Sequence, residues 1–98
     1  MKAKGFDWDR GNWPKCGKHG LSKAEIEYVL TNQPMVLPDR YPVDIEARFN
    51  AVGKNQEGRY IFVVFTRRIK TSGWIIRPIG ARYMHKKEIE NYEQQKKS

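Results

Sequence analysis

The stretch Ile45-Glu46-Ala47-Arg48-Phe49-Asn50-Ala51 alternates strictly. Ile45, Ala47, Phe49 and Ala51 fall on one side; Glu46, Arg48 and Asn50 fall on the other. Such alternation suits a β-strand with one dry and one polar face, and it obliges the rest of the chain to supply a cover and neighbours. Two neighbours are legible. Tyr60 to Thr66 is apolar or aromatic on both faces up to Thr66, as in a central strand covered on both sides. Trp74 to Met84 begins as an apolar strand, is interrupted by Pro78 and Gly80, and ends in Arg82-Tyr83. Turn residues at Gly53 to Gly58 and at Arg67 to Gly73 connect the three into an antiparallel meander. Pro34, Pro38 and Pro42 crowd the short apolar run that begins at Met35, so Met35 to Pro42 reads as a loop or an irregular edge strand.

The cover comes from helices. Ser22-Lys23-Ala24-Glu25 has the form of a capping box, with Leu21 and Ile26 at the two staple positions. Ile26, Val29 and Leu30 give a helical stripe that Asn32 to Pro34 closes. Upstream, Phe6 to Trp8 suggests a short strand. A further helix follows, capped by Asp9 or by Asn12 with Pro14 in its first turn, and ends at Gly20 after Lys18-His19. His85 to Lys97 predicts a polar helix whose apolar members, Ile89 and Tyr92, can dock on the sheet. Two N-terminal helices and one C-terminal helix on an antiparallel sheet make the fold class α+β. Residues 1–98 are expected to form one domain, with an ordered core over about 6–93 and a frayed tail at 94–98; neither repeat nor linker interrupts it.

Composition narrows the class. An apolar fraction of 39% with 12% aromatics indicates a folded globule. Cys16 is the single cysteine, which excludes an internal disulfide and points to a reducing, cytoplasmic setting. No apolar run is long enough to span a membrane, and Met1 to Gly5 is followed by no apolar leader. The net charge of +8 is unevenly spread: +3 over residues 1–21, −2 over 22–50, and +7 over 51–98, where eleven basic residues face four acidic ones. Positive charge concentrated on the strands and the last helix favours a polyanionic partner, although small domains are also basic for solubility alone.

From Phe6 to about Glu93 the chain resembles the BrnT family of bacterial toxins. The resemblance rests on Phe6-Asp7-Trp8-Asp9, on Lys18-His19-Gly20 before the capped helix, and on Glu46-Ala47-Arg48-Phe49-Asn50-Ala51-Val52-Gly53. It continues through Val64-Phe65-Thr66 to Ile76-Arg77-Pro78-Ile79-Gly80-Ala81-Arg82-Tyr83-Met84, with Glu88 and Tyr92 beyond. Gly80 departs from the serine usual in the family and His85 from a threonine cap. The resemblance implies a RelE-like fold and an endoribonuclease that cuts messenger RNA and arrests growth. It also implies neutralisation by a BrnA-like antitoxin, often with two copies of each protein in a heterotetramer, and contact with operator DNA only through that complex. Nucleases of this kind use no metal: the ribose 2′-hydroxyl attacks the adjacent phosphate and leaves a cyclic phosphate and a 5′-hydroxyl. The other reading is a non-catalytic nucleic-acid-binding or antitoxin-partner module of the same fold.

That reaction needs a base, an acid and cations around the phosphorane. Arg77 and Arg82 lead as phosphate ligands, since a guanidinium matches phosphate geometry and stays charged. Each can instead pair with a carboxylate such as Glu46 or Glu88. Their odd and even positions aim them at opposite faces unless a bulge at Pro78 or Gly80 intervenes. Glu46 and Arg48 share a strand face as base and clamp, or as a solvated ion pair. His19 is a candidate acid or base, or a helix-end residue; Lys18 beside it contacts RNA or only the helix end. Tyr83 stacks on a base or packs, and Arg67, Arg68 and Lys70 form a phosphate-tracking patch or a soluble turn. Cys16 lacks a nucleophile's surroundings, and one cysteine with two histidines makes a poor metal set.

Overall fold

The computed structural model describes residues 4–38, 47–71 and 73–97, apart from the side chains of Lys70 and Lys97. It is α+β, with a four-stranded antiparallel sheet and two α-helices. The strands are β1 (Met35–Pro38), β2 (Arg48–Lys54), β3 (Tyr60–Lys70) and β4 (Gly73–Tyr83), in the order β1-β2-β3-β4. Helix α1 (Lys23–Thr31) precedes the sheet and α2 (Lys86–Lys97) follows it. Of the two readings of Met35 to Pro42, loop or edge strand, the strand holds over Met35–Pro38, and residues 39–42 lie outside the described residues. Residues Ile45 and Glu46 of the alternating stretch lie outside the described residues. Arg67 to Lys70 continues β3 rather than turning. No helix among the described residues is long and apolar enough to cross a membrane.

The capping box forms as its residues dictate. Ser22 Oγ accepts from the Glu25 N–H at 3.1 Å, and Glu25 Oε1 accepts from the Ser22 N–H at 3.1 Å. The first predicted helix does not form. Between Asn12 and Gly20 there is only a three-residue 3₁₀ turn, Lys15–Gly17. Pro14 removes a donor, and Gly11, Gly17 and Gly20 lower helix propensity within ten residues. The Trp13 ring also lies so close to Gly17 that a Cβ there would come within 2.7 Å of it. The early strand shrinks to a parallel bridge, Phe6 to Ile76, on the outer edge of β4.

Cross-strand register assigns the two faces of the sheet. Directly opposed residues share a face, so Val36–Ala51–Val63–Ala81 is one row across all four strands. Ala51, Val63 and Ala81 of that row are buried with Ile61, Phe65 and the α1 stripe Ile26, Val29 and Leu30. Gly53 belongs to this face, where a Cβ would come within 3.0 Å of Val29 Cγ1. The opposite face carries the rows Met35–Val52–Phe62–Arg82 and Leu37–Asn50–Val64–Gly80. No α1 residue covers it.

Between Val64 and Phe65 the register slips: Val64 opposes Gly80 but Phe65 opposes Pro78, leaving Ile79 unmatched. This β-bulge reverses the phase of β4. Below it Thr66 opposes Arg77, and Arg48 opposes Thr66. Arg48, Arg77 and Arg82 thus all belong to the face without α1, despite the odd and even numbers of the last two.

Candidate active site

The chain from Asp7 to Gly20 crosses the outer edge of β4, and buried Asn12 fixes it there. Asn12 Nδ2 donates to the carbonyls of Asp7 at 2.8 Å and Pro78 at 2.9 Å, while its Oδ1 accepts from the Asp9 N–H at 2.8 Å. Arg77 completes the clamp, donating to Asp7 Oδ2 at 3.2 Å and to the two Asp9 oxygens at 3.0 Å each. Arg68 reaches the same Asp7 oxygen at 3.3 Å. The Arg77 hydrogen bond lowers the Asp9 carboxyl from its ordinary range, helped by the Gly11 N–H. On the α1 side, Trp8 packs edge-on against Trp13 with centroids 5.4 Å apart, and its indole N–H donates to Glu27 at 2.7 Å. The Lys23 ammonium lies 5.6 and 5.3 Å from the two ring centroids.

Held at both ends, this loop hangs Lys15, Lys18 and His19 over the sheet face without α1. They and Arg82 wall a cleft of about 230 Å³ floored by Phe62, Val64, Ile79, Gly80 and Ala81. The walls are cationic and the floor is apolar. Arg82 is fixed by a fork to Glu88, with Nη1 to Oε1 at 2.7 Å and Nη2 to Oε2 at 2.8 Å, and its guanidinium carbon stands 4.9 Å from the Phe62 centroid. Glu88 Oε1 also accepts the His85 N–H at 2.9 Å, the returning half of a capping box at the start of α2. The Arg82 fork and then that backbone bond pull the Glu88 carboxyl down to about 2. A guanidinium has five N–H donors, so the fork leaves others for a ligand.

The family of ribonuclease toxins named BrnT, from type II toxin–antitoxin systems, matches residues 8–88. The chain belongs to the BrnT family. No individual curated protein matches it. The matched span opens at Trp8, in the loop that carries the cleft cations, and closes at Glu88, the acid that orients Arg82. A type II BrnT toxin has an antitoxin as its partner.

Within this BrnT chain the cleft gathers three of the sequence-predicted residues, His19, Lys18 and Arg82, and separates the others. Arg77 shares their face but is held by Asp7 and Asp9 as a structural clamp. Arg48 is exposed at the start of β2 on that face and does not line the cleft. Glu46 lies outside the described residues, so its role as base is left to the sequence expectation. Tyr83 points the other way: its hydroxyl donates to Glu25 Oε2 at 3.3 Å and Arg59 stacks on its ring at 3.6 Å. Arg67 is also on the α1 face, its guanidinium 4.6 Å from the Phe49 centroid and 5.8 Å from that of Trp74. Arg68 serves Asp7, and Lys70 is described only as the backbone partner of Gly73. Cys16 is buried, and burial pushes its thiol up, away from a reactive thiolate. No three His, Cys, Asp or Glu side chains gather as a metal set among the described residues.

Sequence reasoning missed Lys15 and Asn12. The spacing Lys15, Lys18, His19 sets two lysines and an imidazole three and four positions apart, a signal available without coordinates. Asn12 reads as a helix cap by type, and its bond to Pro78, 66 positions away, leaves no local trace.

Proposed function

We propose that this BrnT chain cuts messenger RNA by attack of a ribose 2′-hydroxyl on the adjacent phosphate, with the scissile phosphate in the cleft between His19 and Arg82. The observation that carries the reading is the meeting of Lys15, Lys18 and His19 from one loop with Arg82 from β4 over an apolar floor. Three fixed positive charges suit a phosphorane that gains negative charge on its way to the transition state. Imidazole is the lining side-chain type that exchanges a proton near neutral pH, which assigns His19 to the 2′-hydroxyl or to the leaving 5′-oxygen. The Glu88 fork holds the Arg82 guanidinium in one orientation, so little ordering remains when phosphate arrives. The products are a 2′,3′-cyclic phosphate and a 5′-hydroxyl, and the reaction runs on side chains without a metal. The setting is cytoplasmic, growth arrest is the consequence, and a BrnA-like antitoxin in a heterotetramer is the restraint.

The test is a short RNA and its copy with one 2′-deoxy sugar at the cut. Cleavage of the first, sparing of the second, and a loss of about 10²-fold or more in His19→Gln with unchanged folding are the expected results. Cleavage that leaves a 3′-hydroxyl, or that His19→Gln does not slow, overturns the assignment. One observation favours the non-catalytic reading: both arginines nearest the cleft already hold carboxylates. Tight RNA binding without cleavage in the same assay would decide for it.

A further inference from the structure

The face that holds the cleft does not stop at Phe62. The row Met35–Val52–Phe62–Arg82 and its neighbour Leu37–Asn50–Val64–Gly80 run from the cleft wall to the outer edge of β1. Along them Val52, Phe62 and Val64 are half-buried, Met35 is 37% exposed and Leu37 is 52% exposed. Five apolar side chains in two adjacent rows make a patch rather than scattered exposure. No described strand pairs with the outer edge of β1, so backbone donors and acceptors line the far side of the patch. Charge frames it. Arg48 and Lys54 stand on this face at the two ends of β2, and Lys15, Lys18, His19 and Arg82 stand at the cleft. None of the four strands contains an aspartate or a glutamate.

We infer that this patch, from the β1 edge to the cleft, is the docking surface for the antitoxin, and that the segment docked there is apolar and acidic and adds as a strand to β1. Sheet addition supplies backbone hydrogen bonds, while alternate side chains enter the apolar rows. Carboxylates on the segment face a rim of positive charge with no acid of the sheet to repel them. RNA fits less well here. Bases prefer aromatic or guanidinium platforms, whereas Met35, Leu37, Val52 and Val64 are aliphatic, and Arg82 already stands over Phe62, the one aromatic ring in the two rows. The added strand runs at right angles to the rows, so the antitoxin chain that continues from it across the face is what reaches the cleft and blocks phosphate entry. That last consequence rests on the proposed cleavage site; the docking itself rests only on the antitoxin partnership of the family.

Leu37 tests it, being exposed at the end of its row farthest from the cleft. Purified cognate antitoxin is titrated by calorimetry into wild type, Leu37→Glu and Leu37→Lys, with melting curves as the folding control. Both variants are expected to bind more weakly, Leu37→Glu by about tenfold or more and Leu37→Lys by less, because only the glutamate repels an acidic segment. Unrestrained by antitoxin, both should cleave RNA at the wild-type rate. Antitoxin binding within twofold of wild type in both variants overturns the surface. Stronger loss in Leu37→Lys overturns the acidic chemistry. Loss of RNA affinity without antitoxin present assigns the patch to RNA instead. If wild type cuts no RNA at all, the cleavage site fails while the calorimetry still decides the docking.

Discussion

Two neighbouring rows of one sheet, Val36–Ala51–Val63–Ala81 and Met35–Val52–Phe62–Arg82, are built on the same four strands one residue out of step. The first is sealed under α1, while the second is met, among the described residues, at its β4 end by the loop that carries Lys15, Lys18 and His19 and by Glu88 of α2. Both are largely aliphatic or aromatic, so hydrophobicity does not separate them. What separates them is whether a helix stripe of matching period lies above. One face carries the stability of the fold, and the other is left free to meet a ligand.

The largest expected break in that contrast is thermodynamic. Phe65→Ala, in the sealed face, should cost about 3–5 kcal/mol, whereas Phe62→Ala should cost about 1 kcal/mol, both read from urea unfolding. Equal losses would mean that the second face is as load-carrying as the first. Next comes Asn12, which joins the loop to the bulge. Asn12→Ala takes a donor from the buried Pro78 carbonyl and from the part-buried Asp7 carbonyl and should cost about 1–3 kcal/mol. Asn12→Asp should not rescue it, since a carboxylate offers no N–H to Pro78, and RNA cleavage should fall in both as the loop cations lose their register.

A pH titration sharpens the contrast at α2. Glu88 is held at about 2 against an ordinary 4.5, so its fork with Arg82 stabilises fully above the ordinary value and is lost as pH falls toward 2. Nuclear magnetic resonance of Tyr92, packed edge-on against Tyr60 at 5.5 Å, should report α2 loosening in that window. Glu88→Gln should show the loosened signal already at neutral pH. Smallest of all is Gly80→Ser. A Cβ there meets nothing within 4 Å, so stability should shift by less than about 0.5 kcal/mol. The added hydroxyl would stand on the cleft floor and should change RNA cleavage several-fold, which a kinetic comparison at fixed substrate reads directly.

The parts of this molecule written in local periodicity were legible. Alternation located β2, the apolar run located β3, and Ser22 to Glu25 located α1 with its cap. The failed first helix shows the limit of cap signals. A plausible Asn12 and a tolerable Pro14 could not outweigh three glycines and the Trp13 ring. Charge misled in the other direction, since Arg67 and Arg68 look like turn residues but extend β3, one spread on aromatic rings and the other held by Asp7. The cleft was half legible: Lys18, His19 and Arg82 were candidates, yet only the crossing of the loop over β4 brings them together. Arg77 was read first as a phosphate ligand and second as the partner of a carboxylate; it is paired, with Asp7 and Asp9 rather than Glu88.

The unmatched Ile79 makes β4 a strand with two opposite parities joined end to end. Deleting that single residue would leave a regular ladder with the same pairs, whereas a second residue inserted beside it, if it took a place in the ladder, would re-phase everything from Gly73 to Pro78, driving a guanidinium toward the aromatic interior and turning Ile76 out to water. An insertion at this point is therefore far more dangerous than the loss of Ile79. Any alignment that slips by one position here will assign the wrong side of the sheet to six consecutive residues.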